Sequence, residues 1–350
     1  MHHLNRFNEP IINTNFDVQV LNDGINIGKS EKGIGIKGFR FGNGKINLSL
    51  IAGNHSDEPT GPRLLRKLVT WLSRLSDHDR VIRDYSWFIV PHSNPDGEEI
   101  NRQWYEDDQE YYDLARNLKH GFREPPGRDL EFGYPDEEHG ALRSENEAVY
   151  NFWCQRNAPF HLHISLHGMN RAFGAWYLID EHWIDRTSQL RAQATSKTEA
   201  HGYLLHDVDR KGEKGFRRIA PGFCTRPDSK YMSAYFESIN DPEMARKFHP
   251  SSMESIRSLG GDCLTLVSEM PLFILPWKSG DISWPNQEWD YWSQRFAGWK
   301  QDLLQGRKTE SEVNQEAENA GVKPMSVKDQ MMLQWNFFTA GVEAVEAQMK

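Results

Sequence analysis

The sequence contains little cysteine and no cysteine motif. Three cysteines, Cys154, Cys224 and Cys263, are spread over 350 residues, and no two of them have a paired spacing. An odd and scattered set of this kind predicts neither a disulfide framework nor a cysteine-based zinc site. It is typical of a protein in a reducing compartment, so we expect a cytoplasmic protein.

Positive charge and long apolar runs are also scarce. The formal net charge is −9, and the sequence pI is about 5.9. General binding to nucleic acid or to an anionic membrane requires a net basic surface, so we predict neither partner. No apolar run approaches membrane-spanning length, and the opening MHHLNRFNEPIINTNFD has no apolar segment typical of a secretory signal. We expect a protein that folds in water.

Strand and helix patterns alternate along most of the chain. Short apolar segments bounded by turn residues are typical of strands, and they include KINLSLIAG, YSWFIVPHSN, FHLHISLHG and DCLTLVSEMP. PRLLRKLVTWLSRL instead carries leucines at helical spacing. This alternation predicts an α/β fold with helices on both faces of a sheet. The polar residues 104–142 are predicted to form a long functional loop.

One glycine pattern matches a nucleotide-binding motif in spacing alone. GIGIKG places Gly33, Gly35 and Gly38 in the order GxGxxG, which in dinucleotide-binding proteins opens a helix. Here FRFGNGKINLSL follows, and its pattern indicates strand and hairpin. We therefore predict strands at this position and no nucleotide site.

Polar residues with metal-binding chemistry follow two of the predicted strands. His55 and Glu58 stand in HSDE, after KINLSLIAG, and His167 ends the strand HLHISLHG. Strand ends of an open α/β sheet meet at one edge, and imidazole nitrogen and carboxylate oxygen both suit Zn²⁺. His163 lies deeper in its strand, and we interpret it as a supporting or core histidine.

A carboxylate and two arginines could complete such a site. Glu269 ends the apolar run CLTLVSEMP, where it could act as a general base. Arg102 in PHSNPDGEEINRQW and Arg116 in YYDLARNLKHG could bind an oxyanion or a substrate carboxylate. The alternative for both arginines is a surface ion pair with acids such as Asp107 or Asp113.

The order of these motifs resembles the M14 family of zinc metallocarboxypeptidases, the funnelins related to carboxypeptidase A. HSDE carries His55 and Glu58, NPDG at 94–97 is unchanged, SLHG supplies His167, and SEM supplies Glu269. IGKSEKG resembles the lead-in of bacterial members, and LRSENEAVYNFW resembles the Ser-Glu-x-Glu helix of the family. The resemblance implies a bacterial-type member without a prodomain.

This resemblance, which runs from about residue 15 to residue 275, also implies a fold. The fold would be a mixed, mostly parallel central sheet of about eight strands with helices on both faces, as in zinc carboxypeptidases and phosphorylase/hydrolase-like proteins. Residues 1–300 would form the catalytic domain, and residues 301–350 a C-terminal helical extension packed on it. We expect the specificity pocket to be lined from residues 176–261.

The resemblance assigns roles to individual residues. One zinc per chain would be held by His55, Glu58 and His167. Glu269 would be the general base and then the proton donor to the leaving amine. Arg102 would polarise the scissile carbonyl, while Arg116 and Asn101 would bind the substrate, completing the predicted site.

Two departures from the family pattern concern recognition of a substrate's terminal carboxylate. Ala115 stands where the family has an asparagine before its substrate-binding arginine. The segment KFHPSSMESIRSLGG contains no tyrosine, although the family's substrate-capping tyrosine lies about this far before its catalytic glutamate. The predicted zinc chemistry depends on neither residue.

The function expected from these motifs is zinc-dependent hydrolysis of a peptide (amide) bond. The first interpretation is a metallocarboxypeptidase acting on peptides or muropeptides. A zinc deacylase or amidase of the succinylglutamate desuccinylase/aspartoacylase type, with acyl-amino-acid substrates, is an alternative, and a catalytically silent metal-binding scaffold is another. The apolar C-terminal helix also leaves a homodimer open.

Overall fold

A ten-stranded sheet runs through residues 2–136 and 138–349, the part of the chain that this computed structural model describes. The strands lie in the order β1-β2-β4-β3-β5-β9-β6-β8-β7, and β10 pairs with the far end of β9. Their bounds are β1 (Ile25–Lys29), β2 (Gly35–Phe41), β3 (Ile46–Ala52), β4 (Tyr85–Val90), β5 (Leu162–Ala172), β6 (Trp176–Ile179), β7 (Arg218–Ala220), β8 (Phe223–Thr225), β9 (Leu264–Ile274) and β10 (Lys323–Pro324).

Parallel pairing is concentrated at the centre of this sheet. β3 is parallel to β4 and β5, β5 is parallel to β9, and β6 is parallel to β8. The other five pairs are antiparallel. The mixed α/β class is confirmed, but the sheet is larger and less parallel than expected. The additional strands at its edges are only two or three residues long, too short to show an alternating pattern.

Helices cover both faces of the sheet. One face packs against α3 and α14, with α1 lying on these two helices, and the other face packs against α7 and α11. The α-helices are α1 (Asn8–Asn13), α2 (Val18–Asn22), α3 (Thr60–Leu72), α4 (Arg80–Arg83), α5 (Pro95–Asn101), α6 (Leu114–His120), α7 (Ser144–Cys154), α8 (Ser188–Ala200), α9 (Ser229–Ser238), α10 (Pro242–Ala245), α11 (Ser252–Ser258), α12 (Gln287–Leu304), α13 (Glu310–Asn319) and α14 (Val327–Gln348); short 3-10 helices span His3–Phe7, Glu181–Arg186 and Glu213–Gly215.

The NPDG sequence forms the start of α5. The side chain of Asn94 accepts a hydrogen bond from the Gly97 backbone N–H at 3.1 Å, and proline occupies the first helical position, where no N–H is needed. A Cβ atom at Gly97 would lie 2.4 Å from the side chain of Ser56. Only glycine therefore lets this helix start pack against the segment that carries His55 and Glu58.

The last helix is part of the main core. Side chains on every side of α14 are buried, including Trp335, Phe337 and Phe338, and the helix packs against β5 and β9 of the sheet and against helices α1, α3 and α8. The division of the chain at residue 300 stays a prediction, although this helix shares its core with β5 and β9.

GIGIKG continues as strand β2 through Gly38, which confirms the strand prediction there. None of the described helices combines the length and apolarity needed to cross a membrane.

Candidate active site

Three donor side chains converge at the carboxyl edge of the central strands. The Nδ1 atoms of His55 and His167 each lie 2.9 Å from a carboxylate oxygen of Glu58 and 3.1 Å from one another. One ligand atom of each residue lies within 4.8 Å of the ligand atoms of the other two residues. Two imidazole nitrogens and one carboxylate form a donor set that suits Zn²⁺ and leaves room for a fourth ligand, so these residues fit one zinc ion.

The sheet register brings the donors together. β3, β5 and β9 are parallel neighbours, so their carboxyl ends meet. The chain turns after β3 at Gly53, which has a φ of 77° and whose added Cβ would lie 2.5 Å from the ring of His92. Glu58 is then fixed by a hydrogen bond of 3.0 Å from the backbone N–H of Gly168, directly after His167. The turn and this bond place the HSDE segment against β5.

Glu269 lies directly opposite His167 in the register of β9 and β5. Residues paired across neighbouring parallel strands point to the same face, so its carboxyl group faces the donor cluster. Burial raises the pKa of Glu269 to about 8, the charge of Glu58 adds to this effect, and His167 opposes it. The group can therefore take up or release a proton near neutral pH.

Two further carboxylates orient the histidines. The Nε2 atom of His55 forms a hydrogen bond of 3.1 Å with Asp129, and the Nε2 atom of His167 lies 2.8 Å from the Ser165 hydroxyl and 3.1 Å from Glu131. A neutral imidazole that donates its Nε2–H in this way presents the Nδ1 lone pair to the cluster. Asn54 in turn donates a hydrogen bond of 2.7 Å to Glu131. Sequence analysis missed both carboxylates, because they lie in an irregular segment without periodicity.

Arg123 is a second group that sequence analysis missed. Its Nη2 contacts Glu58, its Nε donates a hydrogen bond of 2.9 Å to Asp57, and 45% of its side chain stays exposed. Asn101 holds the preceding residue in place, since it accepts from the backbone N–H of Phe122 and donates to its carbonyl, each at 2.9 Å. A positively charged and accessible group therefore stands beside the donor cluster.

The chain that carries these donor residues also matches a known protein family. The family model of the zinc carboxypeptidases, peptidase family M14, matches residues 21–221. The chain belongs to this family. It is therefore a metallocarboxypeptidase, a zinc-dependent metallopeptidase whose family binds one zinc ion, and the resemblance drawn from the motifs is confirmed. No curated protein matches this carboxypeptidase in sequence.

Solved structures are similar to this carboxypeptidase at low sequence identity. A predicted metallopeptidase from Shewanella amazonensis SB2B is 11% identical with a TM-score of 0.50, and the match covers 97% of this chain and 90% of the other. Bovine thrombin-activatable fibrinolysis inhibitor, solved with a tick carboxypeptidase inhibitor, is 13% identical with a TM-score of 0.47, covering 98% and 97%. Carboxypeptidase A from Helicoverpa armigera is 12% identical with a TM-score of 0.47, covering 92% and 68%.

The remaining predicted residues of this carboxypeptidase are engaged elsewhere. Arg102 forms ion pairs of 2.8 Å with Glu98 and with Asp107. Arg116 donates a hydrogen bond of 3.0 Å to the carbonyl of Gln103. Among the contacts of the described residues, neither guanidinium reaches the donor cluster, so their assigned roles stay predictions.

Asn101, predicted to bind substrate, is buried with its amide fully used inside the protein. Besides its two bonds to Phe122, its Oδ1 accepts from the indole N–H of Trp104 at 2.8 Å, and its Nδ2 lies within hydrogen-bonding distance of Ser56 and of the Gly97 carbonyl. This arrangement gives Asn101 the environment of a residue that positions the loop before Arg123.

Proposed function

We propose that this carboxypeptidase removes C-terminal residues from peptides by hydrolysing the terminal peptide bond. The observation that carries the proposal is the position of Glu269, which is paired with His167 across two parallel strands at the edge where His55 and Glu58 also lie. A carboxyl group with a raised pKa next to a set of zinc donors is the combination that metal-assisted hydrolysis requires.

The chemistry follows from this arrangement. Zinc held by His55, Glu58 and His167 would supply Lewis-acid activation of a water molecule and of the scissile carbonyl. Glu269 accepts a proton from the attacking water and then delivers it to the leaving nitrogen, so one carboxyl group serves both proton transfers. Asp129 keeps His55 in a fixed orientation by its hydrogen bond to Nε2.

We assign to Arg123 the stabilisation of the oxyanion that sequence analysis gave to Arg102. Arg123 contacts Glu58 and has an exposed side chain, so it can turn towards a carbonyl oxygen at the metal site. Both terminal nitrogens of Arg102 are already paired with carboxylates. We expect Arg123→Ala to lower kcat by about 10²–10³ and Arg102→Ala to change kcat far less, as read from initial rates on one peptide.

The test of the proposed reaction uses zinc-loaded protein and a mixed peptide pool, half with free and half with amidated C-termini. Mass spectrometry follows the loss of single residues, and Glu269→Gln protein serves as the control. We expect stepwise trimming of the free ends and none by the control. Absence of trimming by wild-type protein that carries one zinc per chain would contradict the proposal.

A further inference from the structure

A cavity of about 520 Å³ lies beside the metal donors. Arg123 and Asp57 form part of its wall, and Arg123 also contacts Glu58, so the cavity adjoins the candidate active site. The rest of the wall comes from α6, the end of β5 and α12. The lining residues used below are Asn117, Arg123, Asn170, Arg171, Phe296 and Lys300.

The wall of this cavity is basic, although the protein as a whole is acidic. Three cations line it, Arg123, Arg171 and Lys300, against a single carboxylate, Asp57. That carboxylate is already paired with Arg123 at 2.9 Å. The other two cations therefore give the cavity a local positive charge in a chain with a formal net charge of −9.

Arg171 is the partly buried cation of this wall that has no counter-charge among the residues that the structure describes. It lies four residues after His167 on β5, and its guanidinium carbon is 4.7 Å from the ring centre of Phe296 and 5.6 Å from that of Trp289. Its nearest polar partner across the cavity is the hydroxyl of Ser293, at 3.2 Å. Its Nε has no hydrogen-bond partner, and burial alone lowers its pKa. Within the described residues, no ion pair to Arg171 is formed.

The surroundings of Arg171 hold it in place. Its side chain lies over the two aromatic rings, and the neighbouring Asn170 is joined to Asn117 of α6 by a hydrogen bond of 2.5 Å. A fixed and partly buried guanidinium without a counter-charge is unfavourable by itself, and it is stabilised when an anion binds to it. A carboxylate fits best, because the guanidinium fork matches its two oxygens.

We propose that this cavity binds the side-chain carboxylate of an acidic residue of the peptide substrate, with Arg171 as its main partner and Lys300 at the mouth, so that the enzyme prefers acidic peptides. The inference rests on the proposed peptidase function. The acidic residue would lie close to the scissile bond, because the cavity adjoins the metal donors. An overall negative protein repels such peptides, so a local basic cavity is what allows them to bind.

The test measures binding, so that it does not depend on turnover. Zinc-loaded Glu269→Gln protein is titrated calorimetrically with N-acetylated alanine tetrapeptides that carry one glutamate at the last, second-last or third-last position. Each peptide is compared with its glutamine counterpart and with its C-terminally amidated form. We expect glutamine substitution at one of these positions to weaken binding by roughly tenfold or more, because a hydrogen bond to a charged group is lost. Loss on amidation alone would contradict the inference, because the proposed reaction by itself already requires a free terminal carboxylate.

Three variants in the same background link this discrimination to the cavity. Arg171→Gln should abolish the discrimination between the peptides. Lys300→Glu should weaken binding of the preferred peptide, and folding should be unaffected because Lys300 is exposed. Arg295→Gln is the matched control, because Arg295 also lies over an aromatic ring, that of Trp299 at 4.8 Å, but lines a different cavity. The control should bind like the parent.

The proposal is overturned if no glutamine substitution in the peptides weakens binding, or if the discrimination between glutamate and glutamine survives in both Arg171→Gln and Lys300→Glu. Equal loss in Arg295→Gln would also overturn it, since the effect would then be one of net charge. Turnover of the same peptides by wild-type protein separates the two proposals. Turnover without preference for an acidic side chain contradicts only the inference, whereas binding that is specific for an acidic side chain but without turnover contradicts only the proposed reaction.

Discussion

Replacing Glu269 with glutamine is expected to abolish turnover and to stabilise the metal-free protein. The pKa of this carboxyl group is about 8 in the folded protein against a reference value of 4.5. Between these two values the unfolded chain is ionised while the folded protein must keep a proton on the group, so the group destabilises the fold at neutral pH. At pH 7 the effect corresponds to about 3 kcal/mol of the free energy of unfolding, at about 1.36 kcal/mol for each pH unit above the reference value.

Glutamine has a similar size and no charge, so Glu269→Gln should recover most of this free energy. The sign is specific: the gain should be present at pH 7 and should vanish below about pH 4.5, where the carboxyl group is protonated in both states. Removal of the general base should at the same time lower kcat by about 10²–10⁴. One substitution should therefore move stability and activity in opposite directions.

The assay is urea unfolding of wild-type and Glu269→Gln protein in chelator at pH 7 and pH 4, together with peptide turnover after zinc is restored. Glu99→Gln, at an exposed position on α5, is the matched control, and we expect it to change neither stability nor activity. Equal stability of the wild type and the Glu269 variant at pH 7 would refute the account of a half-buried and unfavourable carboxylate. Retained turnover would refute its role as the base.

Three further predictions concern the metal, acid stability and the last helix. Chelation should abolish turnover, and His55→Ala should lose the zinc, as read by elemental analysis. Asp129→Ala should weaken zinc affinity by about 10–100-fold in competition with a chelator, and unchanged affinity would contradict the orienting role of Asp129. Burial lowers the pKa of His163 and of His206 to about 3, so the unfolded chain binds more protons below pH 6.5 and stability should fall as the pH drops from there towards 3. At pH 5 the two histidines together should reduce the free energy of unfolding by about 4 kcal/mol, and a double His→Gln variant should lose less than the wild type between pH 7 and pH 5; equal losses would contradict this reasoning. Deletion of α14 should abolish cooperative unfolding, as followed by circular dichroism, because this helix covers β5 and β9. A deletion variant that still folds and binds zinc would show instead that the helix is a separable extension.

Residues at the ends of long apolar strands could be placed from the sequence. His55, His167 and Glu269 each follow a run that is long enough to define a buried strand, and strand ends of an open sheet meet at one edge. The structure brings these side chains together with Glu58 for that reason. The class of the fold could be predicted from the same runs, whereas the edge strands of two or three residues have no pattern of their own.

The partners of these residues could not be predicted in the same way. Arg123, Asp129 and Glu131 lie in a segment whose path is set by distant contacts, such as the hydrogen bonds between Asn101 and Phe122. Arg102 and Arg123 both stand among polar residues, and only the packing of α5 and the following loop decides which one reaches Glu58. The cavity beside the site is likewise lined by parts of the chain outside residues 176–261, where we expected the specificity pocket.

The sheet and the irregular segment after α6 contribute different things to the site, and this division bears on how the enzyme can evolve. The metal donors and Glu269 are fixed by strand register, so a change there disturbs the core of the fold. Arg123 and the histidine-orienting carboxylates come from an irregular segment, whose other, exposed residues tolerate substitution and insertion more readily. Selection can therefore alter those exposed residues, and with them the approach to the site, while the donors, Glu269 and their partners are inherited unchanged.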